Sequence, residues 1–364
     1  MDRYLYNLMC LKNWCRFTKK EQNQILAYFG SIESINWRRL SQCGLPDNII
    51  EEKSQKTKEI CLREYYMLLE KLKMNGIQYI GKRSVLYPNN FHHIDCPPDI
   101  FFYKGNERLL ENRPKVAIVG TRRPTAYGRK ATVDIAKFLS KHGIVVVSGM
   151  ALGIDAIAHR TALEANGLTM AVMASGVMNA YPKTNTSIFK GILDQNGLVV
   201  SEKPFDEAPK PYEFPLRNRL ISGFSDAVVV VEASFASGTL TTAQHAINQG
   251  KPVFALPGPV FSETSKGTNQ LIYDGAYPLI CLEDLLAVSG VSPVKADAHK
   301  SIELEKFSEN AQIIFRLIEE KKKQDYDAIE SELNLEYSEI LAAVNELVIE
   351  GLCRFESLTE IGLA

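Results

Sequence analysis

Between residues 116 and 281 the chain repeats one pattern: a short apolar run, a turn of small residues, and then a stretch whose apolar residues have helical spacing. The runs are VAIV (116–119), IVVV (144–147), TMAVMA (169–174), LVV (198–200), AVVVVE (227–232), PVFAL (252–256) and YPLIC (277–281). Apolar runs of this kind alternating with helical segments are typical of a parallel α/β sheet. IQYI (77–80) and IFFY (100–103) predict two more strands.

Different patterns flank this region. Residues 1–56 have apolar residues at helical spacing, which predicts a small helical module. Residues 289–308 are poor in apolar residues and predict a linker. Residues 309–364 contain three helical patterns followed by a short strand, an order that suggests a winged-helix domain. The predicted domains are therefore 1–56, 57–288 and 309–364, with the linker at 289–308.

The charge balance limits the possible partners. The chain has 42 basic and 43 acidic residues and a formal net charge of −1, so any anion site must be a local cluster. Its seven cysteines are scattered without a CxxC pair, which argues against a zinc site or a disulfide framework. No segment approaches the roughly 18 apolar residues of a membrane span. We expect a cytoplasmic protein with no membrane span and no metal.

Small residues follow each central strand. Since the carboxyl ends of parallel strands share one edge of a sheet, these turns would expose backbone N–H groups to an anionic ligand at that edge. The turns contain Gly120, Ser148–Gly149, Ser175–Gly176, Ser201, Ser237–Gly238 and Pro257–Gly258. The pattern predicts an anion site along the carboxyl edge.

The first turn, GTRRPTAYGRK, approaches a helix predicted to begin near Gly128 and carries Gly120, Thr121, Arg122 and Arg123. Backbone amides together with a guanidinium group suit a phosphate. The alternative is that the glycine only tightens the turn and both arginines are solvated.

The second turn, SGMALGID, places Asp155 and His159 four residues apart. We interpret Asp155 as a helix cap or internal hydrogen-bond acceptor, and a catalytic Asp–His pair as the minor alternative. In SFASGTLTTAQHA, helix capping alone explains Ser237 and Thr239.

The segment KPYEFPLRNR interleaves cations and aromatic rings: Lys210, Tyr212, Phe214, Arg217 and Arg219, with Asn218 between the arginines. Single-stranded nucleic acid needs this combination, because cations follow the phosphates while bases stack on rings. Three prolines favour an exposed loop. The alternative has Phe214 in the core and both arginines in surface ion pairs with Asp206, Glu207 or Glu213.

Signatures of catalysis are missing from the sequence. GxGxxG, Walker A, HExxH and GxSxG do not occur, no acidic residue ends the second central strand, and the six histidines are dispersed. We therefore predict a protein that is not an enzyme and has no cofactor.

Five ordered motifs carry a family resemblance over about residues 110–285. VAIVGTRRPTAYGRK, SGMALGIDAIAH, FPLRNRLISGFSDAVVVVEASFASGTLTTAQHA, VFALPGP and GTNQLI closely resemble the bacterial DNA-processing protein A (DprA/Smf) family. The resemblance implies an extended Rossmann-like domain that binds single-stranded DNA and dimerises. In naturally competent bacteria the family delivers incoming strands to the RecA recombinase. The flanking segments resemble the family's SAM-like module and winged helix.

Carried over by motif, the DNA-binding residues would be Gly120, Thr121, Arg122, Ser148, Gly149, Lys210, Phe214, Arg217, Asn218 and Arg219. Gly120 and the turn at Gly149 would donate amides to phosphates, and Arg122 and Arg219 would lie on opposite walls of one groove. Two features depart from the family. Residues 12–24 lack the glycine hairpin that would grip phosphates. The third C-terminal helix contains several glutamates and no basic residue before Arg354, so we expect it to contact protein and not a DNA groove.

Two rival functions remain open. LOG-type phosphoribohydrolases share a Rossmann-like sheet, but Gln244 stands where a catalytic glutamate is needed, and an amide cannot act as a base. A small nucleotide effector at the carboxyl edge is the second rival.

Overall fold

The computed structural model describes residues 2–58, 60–111, 113–205, 207–289, 307–321, 323–333, 335–349, 353–355 and 360–363. The chain forms two compact units, Met1–Ala296 and Asp297–Ala364. Of the predicted linker 289–308, residues 290–306 lie outside the described residues, as does Asp206.

A nine-stranded sheet organises the first unit, and each of the nine apolar runs forms one strand. The strands are β1 Gln78–Gly81, β2 Ile100–Gly105, β3 Lys115–Val119, β4 Val145–Ser148, β5 Thr169–Met173, β6 Leu198–Ser201, β7 Ala227–Val230, β8 Val253–Ala255 and β9 Tyr277–Pro278. Their order is β1-β2-β6-β5-β4-β3-β7-β8-β9. From β6 to β9 all neighbours are parallel, while β1 and β2 pair antiparallel at one edge. The predicted parallel α/β fold is confirmed.

Eleven α-helices occur among the described residues of this unit: α1 Arg3–Met9, α2 Lys19–Phe29, α3 Asp47–Lys58, α4 Ile60–Met74, α5 Ala126–Lys141, α6 Ile154–Glu164, α7 Thr186–Asp194, α8 Glu213–Phe224, α9 Thr239–Asn248, α10 Lys266–Tyr273 and α11 Asp284–Ser289. Helices α8 and α9 pack with the side chains of one sheet face, and α5, α6 and α7 pack with those of the other. Each β-to-α turn after a parallel strand therefore lies at the carboxyl edge.

The N-terminal helices share a core with the sheet. Leu5 and Leu8 of α1 belong to the same buried cluster as Phe102 of β2 and Val199 of β6. The helices of the predicted 1–56 module accordingly belong to the first compact unit together with the sheet.

The second unit has its own core. It contains α12 Glu309–Lys321, β10 Lys323–Asp325, α13 Tyr326–Leu333, α14 Tyr337–Ile349, β11 Cys353–Phe355 and β12 Glu360–Leu363. The strands form an antiparallel sheet in the order β10-β12-β11, and the helices bury Ile314, Ile318, Ile329, Ile340 and Val344. All three predicted helices are present, but the strand β10 lies between the first two, where the sequence predicted none. The winged-helix assignment stays a prediction.

Within the described ranges, no helix combines the length and apolar character needed to cross a membrane. The same residues contain no group of three or more His, Cys, Asp or Glu side chains placed to hold a metal ion.

Candidate nucleic-acid-binding site

A pocket opens at the carboxyl edge, where the turns after β3, β4 and β5 meet the start of α8. It is lined by Arg122, Gly149, Ala151, Leu152, Met173, Ala174, Ser175, Tyr181, Pro182, Phe214 and Arg217. Four of the predicted site residues, Arg122, Gly149, Phe214 and Arg217, thus lie together.

The wall of this pocket combines a cation with two rings. The guanidinium carbon of Arg122 lies 5.5 Å from the ring centroid of Phe214, within cation–π distance. The ring centroid of Tyr181 lies 5.9 Å from that of Phe214, with an interplanar angle of 47°. Arg122 and Tyr181 are exposed, and no carboxylate in the described part of the chain pairs with Arg122. These groups are available to a ligand.

Arg217 is a buried component of the pocket, with an exposed fraction of 6%. Its Nη1 donates to the carbonyl oxygen of Gly149 at 2.6 Å and to that of Val172. Burial lowers the pKa of Arg217 to about 10, and the carboxylate of Asp155 opposes this shift. The guanidinium therefore remains charged at neutral pH.

Asp155 shares this buried environment. Its Oδ2 accepts hydrogen bonds from the N–H groups of Gly149 at 3.1 Å and Ala151 at 3.2 Å. Burial raises the pKa of Asp155, against the opposing effects of Arg217 and the two amides. The interpretation of Asp155 as an internal acceptor is confirmed.

His159 has an internal partner. It shares a hydrogen bond of 2.7 Å between its Nδ1 and the Oγ1 of Thr169. Burial lowers the pKa of His159 to about 3, so the ring is neutral at neutral pH. A buried neutral ring that is already bonded does not fit the minor alternative of a catalytic Asp–His pair.

Residues 213–224 form α8, so the expectation of an exposed loop was wrong. Pro215 lies in the first turn of this helix, where the missing N–H costs no hydrogen bond. Residues two apart on a helix point to roughly opposite sides, and Arg217 and Arg219 therefore diverge. Phe214 and Arg217, three apart, share one side.

Arg219 faces a different part of the molecule and does not line the pocket. It forms a two-pronged ion pair with Glu202, at 2.7 and 2.8 Å, and its Nε donates to the carbonyl oxygen of Cys96. The alternative that Arg219 forms an ion pair is thus correct, although its partner is Glu202 and none of the three acids expected. The expected groove with Arg122 on one wall and Arg219 on the other is not present, because Arg219 does not line the pocket.

Asn218 and Lys210 lie four residues after and before Phe214 in the chain and are not among the residues that line the pocket. Asn218 donates from Nδ2 to the carbonyl oxygen of Gly238 and to the Oγ1 of Thr241, which ties α8 to the turn after β7. The Lys210 side chain is exposed just before α8, and its backbone N–H donates to Glu213. Asn218 therefore connects α8 to the turn after β7, while Lys210 presents an exposed cation just before α8.

The small residues of the turns have mainly packing roles. A Cβ on Gly120 would lie 2.5 Å from Ile154, and a Cβ on Gly149 would lie 2.7 Å from Arg217 and 2.8 Å from Asp155. The Oγ of Ser148 donates to the carbonyl oxygen of Ile118.

Two backbone N–H groups of these turns already donate hydrogen bonds within the protein. The amide of Thr121 donates to the carbonyl oxygen of Glu232, and that of Gly149 donates to Asp155. The phosphate contact expected from the Gly149 amide would require its bond to Asp155 to break.

Glu232, just after β7, was missed by the sequence analysis. Its buried carboxylate accepts from the N–H of Thr125 at 2.9 Å, from the hydroxyl of Thr125 at 2.5 Å, and from Thr264. A Cβ on Gly128 would lie 2.3 Å from the same carboxylate. An acid at the end of the apolar run AVVVVE was the available signal. Glu232 therefore occupies the N-terminus of α5.

Comparison with known proteins identifies the family. The family described as DNA recombination-mediator protein A matches residues 78–289. The chain belongs to this family. A curated relative, DNA processing protein DprA of Bacillus subtilis, is 39% identical over 210 residues, which cover 58% of this chain and 70% of the relative.

Two solved structures of the family are similar. DNA processing protein A from Streptococcus pneumoniae has a TM-score of 0.65 and 30% identity, covering 79% of this chain and 98% of its own. DNA processing protein A from Helicobacter pylori has a TM-score of 0.52 and 36% identity, covering 58% and 94%. The study of the latter describes a single-stranded DNA binding mode.

The residue at the centre of the phosphoribohydrolase alternative lies outside the pocket. Gln244 is exposed on α9, and its side-chain amide donates to Asn248. It is not among the residues that line the pocket between β4, β5 and α8.

Proposed function

We propose that this protein binds single-stranded DNA without strong sequence preference, in the pocket lined by Arg122, Tyr181, Phe214 and Arg217. The observation that carries the proposal is the Arg122 guanidinium over the Phe214 ring, with the Tyr181 ring beside it. An unpaired base has a π face whatever its identity, so two rings at a pocket mouth accept any base. Duplex bases are stacked on one another and cannot use these rings.

The cations supply the phosphate contacts. Arg122 lines the pocket and presents the planar guanidinium that suits phosphate oxygens, and Lys210 is exposed four residues before Phe214. Arg217 is held by two backbone carbonyl oxygens, so it keeps a fixed positive charge beneath the site. A local positive site of this kind needs no positive net charge.

The wider role follows from the family. We propose that the bound strand is protected and passed to RecA recombinase during natural transformation, and that the protein acts as a homodimer without catalysing a reaction. The recombination-mediator family and the single-strand binding of the Helicobacter relative support this role. The helix pair α13–α14 supports a protein contact in the second unit, because Tyr326–Ile349 contains six acidic and no basic residues.

The pocket is tested by fluorescence anisotropy with labelled oligo(dT) at several salt concentrations. Phe214→Ala should weaken binding by about 1–3 kcal/mol, the usual contribution of one stacked base. Arg122→Ala and Lys210→Ala should each lower the slope of log K against log salt by about 0.7, the loss of one phosphate contact on a single strand.

The matched control is Arg108→Ala. Arg108 is exposed just after β2, which is antiparallel to β6 and therefore ends at the opposite edge of the sheet. The Arg108→Ala substitution removes one positive charge, as Arg122→Ala does, but at a residue that does not line the pocket. Equal slopes for Arg108→Ala and Arg122→Ala would refute the proposed site, as would unchanged affinity in Phe214→Ala.

RecA delivery is tested by the rate at which RecA assembles on oligonucleotides coated with single-strand-binding protein. The wild-type chain should shorten the lag of assembly, and Phe214→Ala should not. A lag that is unaffected by the wild-type chain would refute the delivery role while leaving DNA binding intact.

A further inference from the structure

Two phenylalanine rings point into solvent on the carboxyl edge, beyond the pocket. Phe235 follows β7 and has an exposed fraction of 61%, and Phe261 follows β8 and has one of 98%. The Phe261 ring gains nothing from the core of its own chain, and the Phe235 ring gains little. Both lie in loops that follow parallel strands, so both belong to the same edge as the pocket.

Hydrogen bonds connect the pocket to these loops without a break. Asn218, one turn after Phe214 on α8, donates to the carbonyl oxygen of Gly238 in the loop that carries Phe235. The N–H of Ala233, at the start of that loop, donates at 2.8 Å to the carbonyl oxygen of Thr264, in the loop that carries Phe261. The two rings therefore lie on loops that are joined to each other and to the pocket helix.

A cation lies between the pocket and the two rings along the sheet. Arg123 is exposed in the turn after β3, and no carboxylate in the described residues forms an ion pair with it. In the strand order β5-β4-β3-β7-β8, strand β3 is the middle one, so the turn after it lies between the turn after β5, which lines the pocket, and the loop after β8, which carries Phe261. Four strand spacings of about 4.8 Å separate β5 from β8, about 19 Å in all. An extended strand of several nucleotides can cover this distance.

We propose that single-stranded DNA continues past the pocket along the carboxyl edge of the sheet, with further bases stacked on Phe235 and Phe261 and a phosphate bound by Arg123. This inference rests on the proposed function and extends it from a pocket to a track. Rings spaced along a path with cations between them are what sequence-tolerant single-strand binding requires.

The experiment measures affinity against oligonucleotide length. Labelled oligo(dT) of about 4 to about 20 nucleotides spans the usual range of site sizes for one binding domain. Phe235→Ala and Phe261→Ala should bind the shortest oligonucleotide like wild type and lose at least about fivefold in affinity for the longest, and the double variant should lose more. Phe214→Ala should lose affinity at every length.

Tyr66→Ala is the matched control, because Tyr66 is an exposed ring on α4 and lies outside these loops. Light scattering on each variant reports whether the rings instead contact a second copy of the chain. Wild-type affinity of the double variant at all lengths would overturn the track. So would a loss of affinity that accompanies a change in oligomeric state. If Phe214→Ala also binds normally, the pocket itself is refuted, and the track with it.

Discussion

Replacing Arg217 with methionine tests the role of its buried positive charge beneath the pocket, near the buried Asp155. Methionine keeps most of the side-chain volume and removes the charge together with the hydrogen bonds to the carbonyl oxygens of Gly149 and Val172. The carboxylate of Asp155 then remains buried without its positive neighbour. The substitution therefore isolates a charge that the fold normally balances.

The expected cost is large. Loss of the guanidinium leaves two buried carbonyl oxygens without their donor and the buried Asp155 without a nearby positive charge, so we expect Arg217→Met to cost about 3–5 kcal/mol. The double variant with Asp155→Asn should recover about 0.5–3 kcal/mol, because an uncharged amide no longer needs the guanidinium. The side-chain oxygen of asparagine can still accept the N–H bonds of Gly149 and Ala151.

The cost should also depend on pH. Burial raises the pKa of Asp155 in the folded state above its unfolded value, so this group contributes stability at low pH and loses it as the pH rises through the folded pKa. Without Arg217, which lowers this pKa, the folded value rises further. The difference in unfolding free energy between wild type and Arg217→Met should therefore shrink as the pH falls from about 7.5 toward the pKa of Asp155.

Urea unfolding followed by tryptophan fluorescence provides the measurement. Both tryptophans of the chain, Trp14 and Trp37, belong to the first unit, so their signal reports the unit that contains the pocket. A stability loss below about 0.5 kcal/mol, the range of an ordinary surface substitution, would refute this account of the site. So would a loss that is independent of pH.

Two further predictions concern the same edge of the sheet. Gly149→Ala should cost about 1–3 kcal/mol of unfolding free energy, because its Cβ would collide with Arg217 and Asp155. The control is Gly238→Ala, because a Cβ at this position has no atom within 4 Å, and it should show no such loss in the same urea experiment. Arg219→Met should lower the thermal unfolding midpoint, because it removes the ion pair with Glu202, and should leave the oligo(dT) affinity of the folded protein unchanged. Weaker DNA binding by Arg219→Met at a temperature where it is fully folded would show that this residue contacts the strand.

The sequence predicts the strands well because their signal is local. An apolar run of three to six residues bounded by small residues indicates a strand without knowledge of its neighbours, and each of the nine runs forms one. Burial is less uniform, since the edge strand β9 is exposed. The prolines of 209–215 misled the interpretation of α8, since a helix accepts proline in its first turn as readily as a loop does. Because residues 213–224 form a helix of 3.6 residues per turn, the side chains of Arg217 and Arg219 point to roughly opposite sides of it.

Tertiary contacts could not be predicted in the same way. Tyr181 reaches the pocket from the loop after β5, and only the folded sheet brings its ring to Phe214. The spacing of Leu5 and Leu8 shows that α1 buries one face, but not that this face meets Phe102 and Val199. Helical spacing of apolar residues shows which face of a helix is buried, but it does not show which other residues that face packs against.

The position of Glu232 supports the proposed single-stranded DNA over a free nucleotide as the ligand of this sheet edge. In Rossmann-like sheets the N-terminus of the first crossover helix binds a nucleotide phosphate through backbone N–H groups. Here the corresponding helix is α5, and Glu232 already accepts the N–H and hydroxyl of Thr125 at its N-terminus. A phosphate at that point would meet a buried carboxylate of the same sign of charge. We therefore expect the anion to be bound by side chains such as Arg122, whose guanidinium group lies over the ring of Phe214. Side-chain cations beside exposed rings are the arrangement by which proteins bind an extended strand.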